Sequence, residues 1–256
     1  MPLTKLHGTR NDFVLIDHRN RQSNDYAALA RFLCNRRIGV GADGLLVILL
    51  SSIADVRMRI FNADGSEAQM CGNGIRCVAA YLTEGRAQAD FQVETLAGMM
   101  STHATLDGDR YIVRVKVPSP QIEPAGVPNS YVVQAGNPNV VIFGDALEGD
   151  LPTSGSQISS RYKDGANVHI GVVEGTNRIR VRHWERGVGE TMSCGTGAVA
   201  VAAAAIAHRG VASPVEVCVP GGKLIVEWDG VGDATLTGEA VRVFDASVWY
   251  DSAVYA

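Results

Sequence analysis

Aromatic residues make up only 6% of this chain, and its formal charge at neutral pH is only −4. Without a basic field, the chain offers little to a nucleic-acid or anionic-membrane partner. The start, MPLTKLHGTRNDF, has no apolar h-region, and the alanine-rich run from Met192 to Ala207 is too short to span a bilayer. Cysteine is sparse and odd in number, at positions 34, 71, 77, 194 and 218, unlike a disulfide framework. A reduced, cytoplasmic protein is expected. No His-x-x-x-His pair occurs, and the thiols at 71 and 77 lack zinc spacing. No Walker lysine follows a glycine loop, and the Gly-x-Gly pairs that follow Cys71 and Cys194 lack a third glycine. Metal and dinucleotide sites are therefore not expected.

What the chain does hold is a repeat. Cys194 lies 123 residues after Cys71, and the same offset pairs Glu67 with Glu190, Gly72 with Gly195 and Gly74 with Gly197. It also pairs Arg57 and Arg59 with Arg180 and Arg182, and Phe61 with Trp184. An offset of 126 pairs Asn11 with Asn137, each followed by an apolar triplet, VLI or VVI. Small changes of offset are what loop insertions produce, and self-similarity at this length points to a duplicated unit. With 256 residues available, two modest domains fit: 1–117 carrying Cys71 and 118–256 carrying Cys194, with the chain end packing back on the first lobe.

Each half repeats one order of signals. Alternating β-branched runs (FVLID, GLLVILL and VRMRIF; NVVIF, NVHIGVV and IRVRHW) precede a Cys-led helix, and further strands follow. In the first half, 23–37 also reads as a helix, capped by Ser23 or Asn24. The second Cys-led helix, near 195–208, is apolar all round and so is expected to be wrapped by the sheet of its own half. Many strands with one such helix per half predict an α+β unit used twice.

Cys71 and Cys194 each stand where the chain enters a helix. The first turn leaves N–H groups unpaired, and the helix dipole adds positive charge. A thiol there is expected to ionise below its usual pKa of ~8.5. The same N–H groups, exposed by the glycines, suit a carboxylate or a developing oxyanion. Halves facing through a pseudo-two-fold would bring both thiols to one ligand. One removes an α-proton, the other supplies one on the opposite face, and the carbon inverts. Cys34, Cys77 and Cys218 read as core-filling residues.

The chain resembles the diaminopimelate epimerase family over nearly its whole length. KLHGTRNDFVLID, NADGSEAQMCGNGIRC and ERGVGETMSCGTGA are similar to its opening and its two catalytic segments. GVGADG, GNPN, GANV and VPGGKLIVEW match intermediate blocks in the right order. The resemblance implies two similar lobes, each a barrel-like, mostly antiparallel sheet around a central helix, with an amino-acid substrate between them. It implies neither pyridoxal phosphate nor a metal. Cys71 and Cys194 would be the acid/base pair, and Gly72, Asn73, Gly195 and Thr196 would bind the carboxylate at the reacting carbon. Asn11, Asn62, Asn137, Asn167 and Arg186 would hold the distal end of the substrate. Glu185 would lie near the reacting amine, and Asp43–Gly44 in a loop closing over the site. Forked arginine donors and amides suit a second amino-acid head, and unpaired donors would reject smaller substrates.

Two positions depart from the family. Asn139 stands where histidine is usual, and Glu239 where proline is. Asparagine can hydrogen-bond but does not titrate near neutrality. A two-thiol racemase with another substrate, proline-racemase-like enzymes included, is the rival reading, and a silent amino-acid-binding protein is a third. An exposed strand edge would allow a homodimer.

Overall fold

The computed structural model describes residues 1–20 and 25–250. Its elements begin β1 (Pro2–Gly8), β2 (Asn11–Asp17), α1 (Tyr26–Cys34), β3 (Gly44–Leu49), β4 (Val56–Asn62), β5 (Glu67–Ala68) and α2 (Gly72–Thr83). There follow β6 (Gln88–Thr95), β7 (Gly98–Asp107), β8 (Arg110–Val117), β9 (Gln121–Pro124), β10 (Ser130–Gln134), β11 (Pro138–Phe143) and α3 (Leu151–Ser159). The chain continues with β12 (Asn167–Val173), β13 (Arg178–Glu185), β14 (Gly189–Thr191), α4 (Gly195–His208), β15 (Val215–Val219), β16 (Gly222–Glu227) and β17 (Ala234–Ser247). The fold is mixed α+β and rich in strands. Two compact units form, one of Met1–Val115 with the chain from Glu239 onward, the other Lys116–Gly238.

In the first unit the strands pair in the order β1–β2–β3–β4–β6–β7–β8–β17, and β17 returns to β1, closing an eight-stranded barrel. Of these pairs, β2–β3 and β4–β6 are parallel. Parallel neighbours require a crossover, and α1 and α2 are those two crossovers. The second unit repeats the scheme in β9–β10–β11–β12–β13–β15–β16–β17. There too the parallel pairs, β11–β12 and β13–β15, are bridged by helices, α3 and α4.

Strands β2 and β3 bury both faces. Phe13, Leu15, Leu46 and Ile48 join the core around α2, while Val14, Ile16, Leu45 and Val47 join the core around α1. Successive strand side chains point to opposite faces, so a strand covered on both sides reads as an unbroken apolar run. Helix α2 packs on β1, β2, β3, β4, β6 and β7, as α4 packs on β10, β11, β12, β13, β15 and β16. Every residue of α4 from Gly195 to Ala205 is buried.

Helix α1 is shorter than the expected 23–37. Asp25 caps its start by accepting from Ala28 N; Ser23 and Asn24 lie outside the described residues. It ends because the Asn35 side chain accepts the backbone N–H groups of Arg37 and Ile38, which turns the chain away. Helix α3 has no counterpart among the elements expected from the sequence. Its LPTSGSQIS sequence is a poor helix former, but Asp150 accepts from Thr153 N and Pro152 occupies the first turn. Among the described residues no helix is long and apolar enough to cross a membrane.

Candidate active site

Cys71 is the N-cap of α2, with extended backbone at φ −138°, and its sulfur accepts from Gly74 N at 3.5 Å. A Cβ at position 74 would lie 2.9 Å from Leu46 Cδ2, so the Leu46 side chain would have to move aside. Asn73 Nδ2 donates to Asn11 Oδ1 at 3.0 Å, and Cys71 Sγ lies 3.9 Å from that oxygen. Asn11 Nδ2 in turn donates to Asp43 Oδ2 at 2.8 Å. Asn11 leaves a two-residue turn in which Thr9 (φ 52°) and Arg10 (φ 62°) are both left-handed. That turn matches strand twist but strains a β-branched threonine. Thr9 is held there by Arg76, whose Nη2 donates to its hydroxyl at 2.8 Å. Asn62 ends β4 in register with Gly44, and its Nδ2 donates to Ser66 Oγ at 3.0 Å.

Cys194 caps α4 in the same way, at φ −127°, accepting from Gly197 N at 3.4 Å with Thr196 Oγ1 at 3.5 Å. Its electrostatics differ from the expectation of an acidified thiol. Burial pushes the Cys194 thiol well up and the Glu185 carboxylate adds to this, outweighing the Thr196 and Gly197 hydrogen bonds. Glu185 accepts from Thr191 Oγ1 at 2.6 Å. Asn167 Oδ1 accepts from Arg186 N at 3.0 Å, while Arg186 Nη1 donates to the Asp164 carbonyl. The structure thus joins Asn11, Cys71 and Asn73 in one network. It joins Asn137, Asn139, Asn167 and Arg186 in another, with Glu185, Cys194 and Thr196 in a third.

Residues 3–122 and 131–243 match the family model described as diaminopimelate epimerase. The diaminopimelate epimerase of Desulforudis audaxviator (strain MP104C) is 42% identical, covering 96% of this chain and 98% of that one. The chain belongs to the diaminopimelate epimerase family. Two solved structures share the fold at 17% identity. A Bacillus anthracis protein of the PhzF family has a TM-score of 0.76, covering 98% of this chain and 99% of its own. A probable proline racemase from Agrobacterium radiobacter K84 has a TM-score of 0.74, covering 98% and 93%.

Within this diaminopimelate epimerase family chain, the place of Asn139 is not without an imidazole. Asn139 Nδ2 donates to the carbonyls of Asn137 (2.6 Å) and Val133 (3.3 Å), so its Oδ1 faces His169 Nε2 at 2.9 Å. Asn167 Nδ2 donates to the same Oδ1 at 3.4 Å. An acceptor at Nε2 assigns that nitrogen the proton, so His169 Nδ1 accepts from His183 Nδ1 at 2.8 Å. His183 Nε2 is then a buried lone pair with no partner among the described residues. Burial holds both rings neutral: His169 falls well below its usual range and His183 to about 3. The His169 ring lies against Gly197, where a Cβ would stand 2.4 Å from Cε1. Sequence reasoning missed this pair, along with Arg76 and Thr9. Its signal was one histidine in each of two strands, His169 in β12 and His183 on the buried alternation Ile179–Val181–His183 of β13, which the structure sets opposite each other in register.

Proposed function

We propose that the chain converts LL-diaminopimelate to the meso isomer, on the route to lysine and peptidoglycan precursors, by proton transfer between two thiols and one α-carbon. The observation that carries this reading is the shared cap geometry of Cys71 and Cys194 in a chain of this family. Each sulfur receives the N–H three residues on, at the entry of a buried helix, in units with the same strand order. Two copies of one ancestral unit account for that identity.

In this scheme a thiolate takes the α-proton, the C–H electron pair passes into the adjacent carboxylate, and the second S–H delivers a proton to the opposite face. The reverse reaction exchanges the roles. N–H groups at Gly72, Asn73, Gly195 and Thr196 stabilise the carboxylate as charge builds on it. Glu185 faces the reacting amine. Asn11, Asn62, Asn137, Asn167 and Arg186 hold the distal head, and the Asp43–Gly44 segment covers it. A Cys194 thiol pushed up by burial suits the proton-donating role.

Asn139 supports a second reading, a two-cysteine racemase for another amino acid. Turnover of LL-diaminopimelate beside arginine, histidine, lysine and proline, followed by chiral chromatography, separates the two. For the first reading, Cys71→Ala and Cys194→Ala each abolish epimerisation, and product from the wild type in deuterium oxide carries deuterium at one α-carbon. Full turnover by either variant refutes the two-thiol scheme.

A further inference from the structure

We propose that Arg76 is the positioning residue that makes Cys71 the thiolate of the resting protein and leaves Cys194 as the proton-loaded thiol. The proposal rests on the reading that these two sulfurs are the acid/base pair. Arg76 lies one turn beyond Cys71 on α2 and is completely buried. Its Nη2 donates to Thr9 Oγ1 at 2.8 Å and Asn73 Oδ1 at 2.9 Å, its Nη1 to the Gly72 carbonyl at 3.2 Å, and its Nε to the Glu239 carbonyl at 3.3 Å. Every acceptor is neutral. A guanidinium taken from water normally brings an anion with it, because an unpaired buried charge is costly.

The other charges around α2 are already matched. On the strands packed against it, Lys5 pairs with Asp12, Arg19 with Asp17, Arg57 with Glu94, Arg59 with Glu67 and His103 with Asp90. Arg110 binds both Asp107 and the Glu239 carboxylate, the latter at 3.3 Å. His7 on β1, whose buried Nδ1 has no partner among the described residues, is an imidazole and supplies no negative charge. Three groups lie within the electrostatic reach of Arg76: Cys77, Cys71 and the Glu239 carboxylate, of which the last is already bonded to Arg110, so the two thiols remain. Cys77 is fully buried and pushed up to about 12, so it stays protonated. Cys71 is half-buried and already receives the Gly74 N–H. It is the sulfur free to ionise. Arg76 also fixes the Asn73 amide, whose Nδ2 holds Asn11 Oδ1 3.9 Å from Cys71 Sγ; that acceptor favours the S–H form, and the buried cation has to outweigh it.

The second copy has the cap without the cation. The residue 123 positions beyond Arg76 is Val199, which is completely buried. Cys194 meets the Glu185 carboxylate instead, and the nearby His169 and His183 are held neutral. One replacement thus breaks the electrostatic symmetry of the duplicated unit.

The test is carboxamidomethylation of the substrate-free protein by iodoacetamide across the pH range, with each cysteine peptide quantified by mass spectrometry. The midpoint of each profile, rather than its rate, reports ionisation and is insensitive to shielding. Cys71 is expected to show the lower midpoint. Arg76→Met raises it by about one pH unit, roughly a tenfold loss of thiolate near neutrality, and leaves the Cys194 midpoint unmoved. Arg76→Lys keeps the charge but not the fork and retains the low Cys71 midpoint. A lower midpoint for Cys194 in the wild type overturns the proposal, as does an unchanged Cys71 midpoint in Arg76→Met. Should Arg76→Met fail to fold, the wild-type order and the Arg76→Lys profile decide, since a purely structural role predicts a shifted midpoint in Arg76→Lys. No turnover is read. An epimerase whose Cys194 ionises first keeps the function and loses this inference; an inactive chain with the expected profiles does the reverse.

Discussion

A thiol in the place usually given to Ser, Thr, Asp or Asn is the residue-level signature of this protein. As N-caps, Cys71 and Cys194 each satisfy one orphan N–H, although sulfur is a weak acceptor. The glycine three residues after Cys194 is there for contact rather than flexibility. At Gly197 a Cβ would enter the His169 ring, and that ring is tied at both nitrogens. Gly197→Ala is therefore expected to cost about 1–3 kcal/mol, read as a lowered urea midpoint. Asn139→Leu leaves the buried His169 Nε2–H without its acceptor, and a similar loss of about 1–3 kcal/mol is expected by the same measurement. If Asn139→Leu matches the wild type in stability, the assigned tautomer chain is wrong.

Among the elements, tertiary contact overrode local preference most clearly in α3. The serines and glycine of Leu151–Ser159 do not announce a helix, and it exists because β11 and β12 are parallel and need a crossover. Gly155 shows which effect wins. On propensity alone, Gly155→Ala should gain up to ~1 kcal/mol. A Cβ there would lie 2.6 Å from Trp184 Cγ and 2.9 Å from Trp184 Cβ. Packing decides the sign, so Gly155→Ala is expected to lower the thermal midpoint. Helices α2 and α4 were legible because each begins at the repeated Cys-Gly-x-Gly. The outer end of α1 was not, because an asparagine side chain rather than a change of hydrophobic period stops it.

For the molecule as a whole, the first barrel is completed by the last strand. β1 pairs with β17 from Pro2↔Ser247 to His7↔Val241, and β8 pairs with β17 as well. A chain ending at Gly238 would leave two open edges, and edges of this kind aggregate. Size-exclusion chromatography and circular dichroism should find it associated and poorly folded. Acid stability follows from the buried groups. His183, held down to about 3 from 6.5, contributes stability that is complete above about pH 6.5 and is lost as pH falls toward 3. Asp12, which burial pushes up but hydrogen bonds from Arg36 and Lys5 together bring down from 3.8 to about 2, contributes stability above pH 3.8 that is lost as pH falls through 2. Urea midpoints should therefore begin to fall near pH 6.5 and steepen below about 4, with Asp12→Asn removing the lower limb. A flat profile between pH 6.5 and 4 would exclude buried neutral histidines.

Order along the chain was enough to reveal the repeat, the strand-rich α+β character, the two thiols at helix entries and the family, because each is carried by spacing and short motifs. It did not reveal that Arg76 is a buried cation, that His169 stands against Asn139, or that Cys194 is harder to ionise than its motif suggests. Those depend on what is packed around a side chain, and burial, strand register and the direction of each hydrogen bond come into being only when distant segments meet.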